Sequence, residues 1–107
     1  MNNALRYNEG KPQWSLVDFD SIEPLVRVLE YGCIKYARDN WKKGLNKDQI
    51  LDSMMRHLVR LMNGELQDIE SGCPHIGHIM ANAMFFYYME TKYNKNDSDV
   101  LPQGEAL

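Results

Sequence analysis

At 107 residues the chain is long enough for one small domain and too short for a second core. Apolar types make up 44% and charged types 25%, a balance that excludes a wholly disordered chain. A net charge of −3 and a pI near 5.5 argue against an extended duplex-DNA-binding surface, because such domains are strongly basic. A local basic cluster can still bind a small anion. The apolar runs fall short of the roughly 20 residues that a membrane span needs, and the N-terminus has no signal-peptide pattern. A cytoplasmic location, in host cytoplasm for a phage-encoded chain, is the expectation. Cys33 and Cys73 form no C-x-x-C and are expected as free thiols.

Residues 1–14 mix polar types with Gly10-Lys11-Pro12 and read as an extended arm. A first helix is predicted to begin near Asp20–Pro24. Either Asp20 caps it with Glu23 three positions on, or Glu23 caps and Pro24 is the first helical residue. Leu25, Val26, Leu29 and Cys33 recur at helical spacing, Tyr36 and Ala37 extend that face, and the stop is expected around Asp39–Gly44. The second helix runs from the cap Asn46 to Asn63, with Gly64 as its stop signal. Its Ile50, Leu51, Met54, Met55, Leu58, Leu61 and Met62 fall in an arc of about 140°.

The third helix is predicted from Pro74 to about Tyr93. Ile76, Ile79, Met80, Ala83, Met84, Phe85, Phe86, Tyr87 and Met89 cover nearly its whole circumference. A helix apolar all round is buried on all sides, and three helices of one small chain enclose such a helix poorly. The expected fold is therefore all-α: a small bundle of three main helices with an extended N-terminal arm, completed by homo-oligomerisation. Residues 1–93 form the domain, and residues 94–107 read as a flexible C-terminal tail.

Polar groups interrupt this apolar pattern. His75, His78 and Asn82 share one face of the third helix, within about 60°. Burying them together costs several kcal/mol unless they find partners. An internal hydrogen-bond network is one solution. The other is a ligand, because Glu65, Asp68 and Glu70 crowd the preceding loop, where like charges call for a cation, a basic partner or open water. Carboxylates and imidazoles can converge on a divalent metal: oxygen ligands suit Mg²⁺ or Mn²⁺, and histidine tilts the choice toward Mn²⁺ or a later transition ion. His57 sits about 20° outside the apolar arc of its helix and can face the seam.

A basic cluster completes the set. Lys35, Arg38, Lys42 and Lys43 accompany Tyr36, Asn40 and Trp41, while Arg56 and Arg60 stand one turn apart on the second helix. They can complement a helix dipole, or clamp phosphates beside an aromatic surface for a base. No nucleophile elbow or glycine-rich phosphate loop is present, so hydrolysis by metal-activated water is the simplest chemistry these residues permit.

RYNEGKPQWSLVD at 6–18, YGCIKYARDNWKKG at 31–44 and RHLVRLMNGELQDIESGCPHIGHIMANAMFF at 56–86 resemble the dATP/dGTP diphosphohydrolase N-terminal family of phage and prophage proteins. That pattern is an R-x-[ND]-x-G-K arm, a K-Y-x-x-x-N-W turn, and R-H-L followed by G-E-x-x-D-x-E-S-G-x-x-H-x-x-H-x-x-x-N. The resemblance implies removal of pyrophosphate from purine deoxynucleoside triphosphates, with an outline similar to the helical MazG-like pyrophosphohydrolases. Those hold Mg²⁺ with E-x-x-E and E-x-x-D pairs. Here Glu65-x-x-Asp68 matches, there is no upstream E-x-x-E, and Arg56-His57 and His75/His78 occupy the central helices instead.

Together these readings assign metal binding, of Mg²⁺ or Mn²⁺, to Glu65, Asp68, His75 and His78. They assign proton transfer to His57 or Glu70, and substrate binding to Lys35, Tyr36, Arg38, Asn40, Trp41, Arg56 and Asn82. The expected ligand is a nucleotide, most simply a purine deoxynucleoside triphosphate, with neither duplex nucleic acid nor membrane as partner. A non-catalytic nucleotide-binding protein, sequestering or regulatory, is the alternative. A third is an assembly module whose buried His/Asn network only sets helix register.

Overall fold

The computed structural model describes residues 3–93, so the expected tail at 94–107 lies outside the described residues. The described residues are helical without strands: α1 (Glu23–Lys35), α2 (Lys47–Met62) and α3 (His75–Thr91), with short 3-10 turns at Trp14–Leu16, Phe19–Ile22 and Asn40–Lys43. The all-α expectation holds.

The first helix departs from its predicted ends. Neither Asp20 nor Glu23 caps it; a 3-10 turn feeds directly into Glu23, and Ile22 holds the cap position without a side-chain bond. Glu23 instead pairs with Arg27 one turn on, at 3.0 Å. The helix stops at Lys35 rather than near Asp39–Gly44, because Tyr36 leaves helical geometry and Asp39 adopts a left-handed conformation with φ 58°. Tertiary packing accounts for the early stop. The Asn40–Lys43 turn sets Trp41 against Phe85 and Tyr88 of α3, each at a centroid distance of 4.8 Å. A continued helix would carry Tyr36 and Ala37 forward on its own axis instead. The second helix matches its reading: Asn46 Oδ1 accepts from the Gln49 amide at 3.1 Å, and Gly64 follows the last turn at φ 92°.

Helix α3 is central. Helices α1 and α2 both pack on it and scarcely meet each other. Val28, Cys73 and Ala81 form the apolar centre, with Leu25, Tyr31 and Phe85 around them. Close approach of α1 requires Gly77, where an added Cβ would lie 2.5 Å from the Pro24 carbonyl oxygen. Within this chain α3 is not covered all round: Ile76 and Tyr87 are exposed. The apolar arc of α2 is also only partly used. Ile50 is buried and Met54 and Leu61 are half-buried, but Leu51, Met55, Leu58 and Met62 remain exposed. Its contact line with α3 runs along Ser53 and His57, which meet Asn82 and His75, to one side of the middle of the arc.

Two glycines should respond oppositely to alanine. Gly77→Ala is expected to destabilise by roughly 1–3 kcal/mol, since backbone rather than a flexible side chain must yield. Gly32→Ala, inside α1 with open space around its Cβ position, is expected to stabilise by about 0.5–1 kcal/mol. Urea midpoints of the two variants check both signs.

Candidate active site

Because α1 and α2 flank α3 without closing on each other, a cleft of about 1000 Å³ runs between them. It is lined by all the site residues expected from sequence: Lys35, Tyr36, Arg38, Asn40, Trp41, Arg56, His57, Glu65, Asp68, Glu70, His75, His78 and Asn82. His75 and Phe85, at its two ends, are about 15 Å apart along α3, at 1.5 Å rise per residue. Imidazoles and carboxylates gather where α3 begins, and the turn carrying Trp41 packs farther along it, at Phe85.

The loop between α2 and α3 builds the first end. The Glu65 amide donates to the Arg60 carbonyl, the His75 amide to the Leu66 carbonyl, and the Asp68 amide to the Cys73 carbonyl. These bonds fold the loop back, so that Glu65 and Asp68 face the start of α3. Asp68 Oδ2 accepts from both the amide and the hydroxyl of Ser71, each at 2.8 Å.

His75 is only 1% exposed, yet both its ring nitrogens are engaged. Nε2 lies 2.7 Å from Glu65 Oε2, and Nδ1 lies 2.8 Å from His57 Nδ1. An ionised carboxylate only accepts, so Nε2 carries the proton. In the neutral ring Nδ1 then offers a lone pair. His57 stacks on His78 with centroids 4.2 Å apart and planes within 2°. His78 Nε2 is bonded to the Ser71 hydroxyl at 2.7 Å, which ties it to Asp68. Asn82 donates to Ser53 of α2 and to the His78 carbonyl.

The electrostatics follow from this packing. Burial, then the neighbouring His78, pushes His57 from its ordinary value near 6.5 down to about 4. Burial likewise lowers His78. For Asp68 burial pushes the carboxyl up, but the two Ser71 donors and the charges of His78 and His57 outweigh it, and the net shift is downward. The bond from His75 lowers Glu65. Glu70 bonds to α1 rather than to a histidine: it accepts from Lys35 at 2.7 Å and from Tyr31 at 3.4 Å, and Lys35 holds its carboxyl low.

Ligand atoms of His57, Asp68 and His75 lie within 4.8 Å of one another. Two imidazoles that can be neutral and one carboxylate, with His75 oriented from behind by Glu65, fit a divalent cation. This grouping differs in membership from the sequence assignment. Glu65 backs His75, and His78 supports His57 and Ser71. His57, first read as a proton acceptor, stands among the potential ligands. Ser71 is the residue that sequence reasoning missed; its only signal was a small polar side chain three positions after an aspartate, within reach of the carboxylate.

The dATP/dGTP diphosphohydrolase N-terminal family matches residues 1–99. The chain belongs to this family. A dATP/dGTP diphosphohydrolase of Salmonella phage PMBT28 is 34% identical to the chain over 86 residues, which is 80% of the chain but 29% of that relative. The chain thus spans under a third of the length of the relative it matches. No solved structure matches. No described helix of this family member is long and apolar enough to cross a membrane.

The histidine shifts set a sign for stability against pH. Between the ordinary value near 6.5 and about 4, the unfolded chain binds a proton at His57 that the folded chain does not. With metal ions removed by chelator, the melting temperature should therefore fall as pH drops through that window. His57→Gln should flatten the fall. A wild-type profile that is level from 7 to about 4.5 would contradict it.

Proposed function

We propose that the chain is a nucleotide pyrophosphohydrolase site: it binds a purine deoxynucleoside triphosphate with a divalent cation, Mg²⁺ or Mn²⁺ on the sequence reading, and cleaves it to monophosphate and pyrophosphate. The observation that carries this reading is the cleft that gathers carboxylates, imidazoles, guanidinium groups and aromatic rings in one lining. The name of the phage relative supports the same substrate class.

His57, His75 and Asp68 would hold the cation. When bound there, it would neutralise phosphate oxygens and acidify a water. Arg38 and Arg56 line the cleft with no ion pair to any described residue, so their guanidinium groups are available for phosphate. Tyr36 and Trp41 border the place for a base, and Asn40 and Asn82 offer amides there and on the floor. Lys35 has two candidate partners, Glu70 in the free protein and a phosphate in the complex. Once Lys35 turns to phosphate, Glu70 loses the charge that holds its carboxyl low and becomes the better base. It would then take the proton as water oxygen bonds the α-phosphorus and the α–β bridging bond breaks toward pyrophosphate.

Incubation with dATP or dGTP and Mg²⁺ or Mn²⁺ should release monophosphate and pyrophosphate in equal amounts. Asp68→Asn should abolish release, and Arg56→Ala should raise KM by roughly tenfold or more, as for loss of a charged hydrogen bond. No release from any common nucleotide by folded protein would end the enzymatic reading. Tight binding with intact nucleotide recovered would instead favour a sequestering protein.

We also propose that the protein self-associates. Met55, Leu58, Val59 and Met62 leave an exposed apolar stripe on α2, of the kind that soluble proteins cover with a partner. Light scattering should give a mass that is a multiple of 12.5 kDa, and Leu58→Glu should lower it. A wild-type mass of one chain would refute self-association.

A further inference from the structure

The nitrogen-rich end of the cleft has a chemical preference that the nucleotide reading does not specify. Two of the three candidate ligands are histidines, whose Nδ1 atoms lie 2.8 Å apart, and the third is the Asp68 carboxylate. Mg²⁺ takes oxygen ligands and keeps its waters, whereas imidazole suits the later first-row ions. Two histidines and one carboxylate with open positions form the donor set of a transition-metal site.

The tautomers are arranged for it. Glu65 Oε2, at 2.7 Å, holds the His75 proton on Nε2 and leaves the Nδ1 lone pair facing His57 Nδ1. His57 must then donate from Nδ1 across the 2.8 Å gap. Its Nε2 has no hydrogen-bond partner among the described residues, so the proton can move to that nitrogen without breaking a bond there. The ring then presents a second lone pair toward the first. His78, parallel to it, fixes the plane in which this happens.

We infer that His57, His75 and Asp68 form a binding site for a first-row transition dication, such as Mn²⁺, Co²⁺ or Zn²⁺, that discriminates against Mg²⁺, with Glu65 as a positioning residue for His75. The inference deepens the proposed site but concerns metal binding alone, and its test does not require turnover.

The full chain, stripped with chelator, is titrated with Co²⁺ and followed by visible absorption, whose band position and intensity change from those of the aqua ion when imidazole replaces water. Calorimetry with Mn²⁺, Zn²⁺ and Mg²⁺ runs in parallel without nucleotide. One Co²⁺ per chain should bind with a visible band, and Mn²⁺ and Zn²⁺ should bind at least roughly tenfold more tightly than Mg²⁺. His57→Ala and Asp68→Asn should remove the band. Glu65→Gln should weaken binding by roughly 10–100-fold while keeping it, as for an orienting group behind a ligand. The wild-type comparison among metals stands even where a variant does not fold. Equal affinity for Mg²⁺, or a Co²⁺ band unchanged by His57→Ala in folded protein, would overturn the inference. Selective metal binding without nucleotide cleavage would sustain it and defeat the hydrolase reading; cleavage with equal Mg²⁺ affinity would do the reverse.

Discussion

A buried imidazole holds the structure of this cleft together. Among the described residues His75 is the large side chain most completely removed from water, and it is tolerable there because each nitrogen meets a partner. Leaving one of them unpaired would cost about 1–3 kcal/mol, a large share of the stability of a small domain. The Glu65 bond therefore constrains the loop after α2 to fold back. That loop in turn carries Asp68 inward, where Ser71 and His78 complete the network. The His57 bond constrains the rotation of α2, turning a polar edge of that helix into the seam.

This rotation has an energetic consequence. Had α2 packed with the centre of its apolar arc on α3, Leu51, Leu58 and Met62 would contribute burial at about 25 cal/mol per Å². Instead they stay exposed, and the seam is occupied by Ser53 and His57 opposite His75, His78 and Asn82. Polar seams of this kind favour a specified arrangement over maximal hydrophobic burial, and clustered polar groups in a cleft are the usual mark of a functional site. The exposed remainder of the arc is what a second subunit would cover.

The cleft brings charges of both signs together. Acidic and imidazole groups gather where α3 begins, with Lys35, Arg56 and Arg60 beside them, while the turn carrying Trp41 packs farther along the helix. Lys35 and Glu70 bridge α1 to the loop at 2.7 Å, an exposed pair worth little to stability and easily exchanged for a ligand phosphate. A chain of net charge −3 can thus present cations locally, because its carboxylates are occupied with histidines and lysine inside the same site.

Periodicity, the cap of α2 and motif order were legible without coordinates. The amphipathic spacing of α2, Asn46 as its cap and the helical start after Pro74 are local properties, dictated within one or two turns of chain. So was the grouping of candidate residues, because His75, His78 and Asn82 share a face by helix geometry alone. The end of α1 was not legible, since Trp41 leaves the helix to meet Phe85 and Tyr88, residues more than 40 positions away in sequence. Nor was the rotation of α2, where the pairing of two ring nitrogens prevails over the larger apolar arc. Which nitrogen bears a proton, which carboxylate faces an imidazole and which faces a lysine depend on distances of 2.7–2.8 Å between distant segments. Sequence spacing sets which side chains share a helix face. Only the packing of one element on another decides which of them touch.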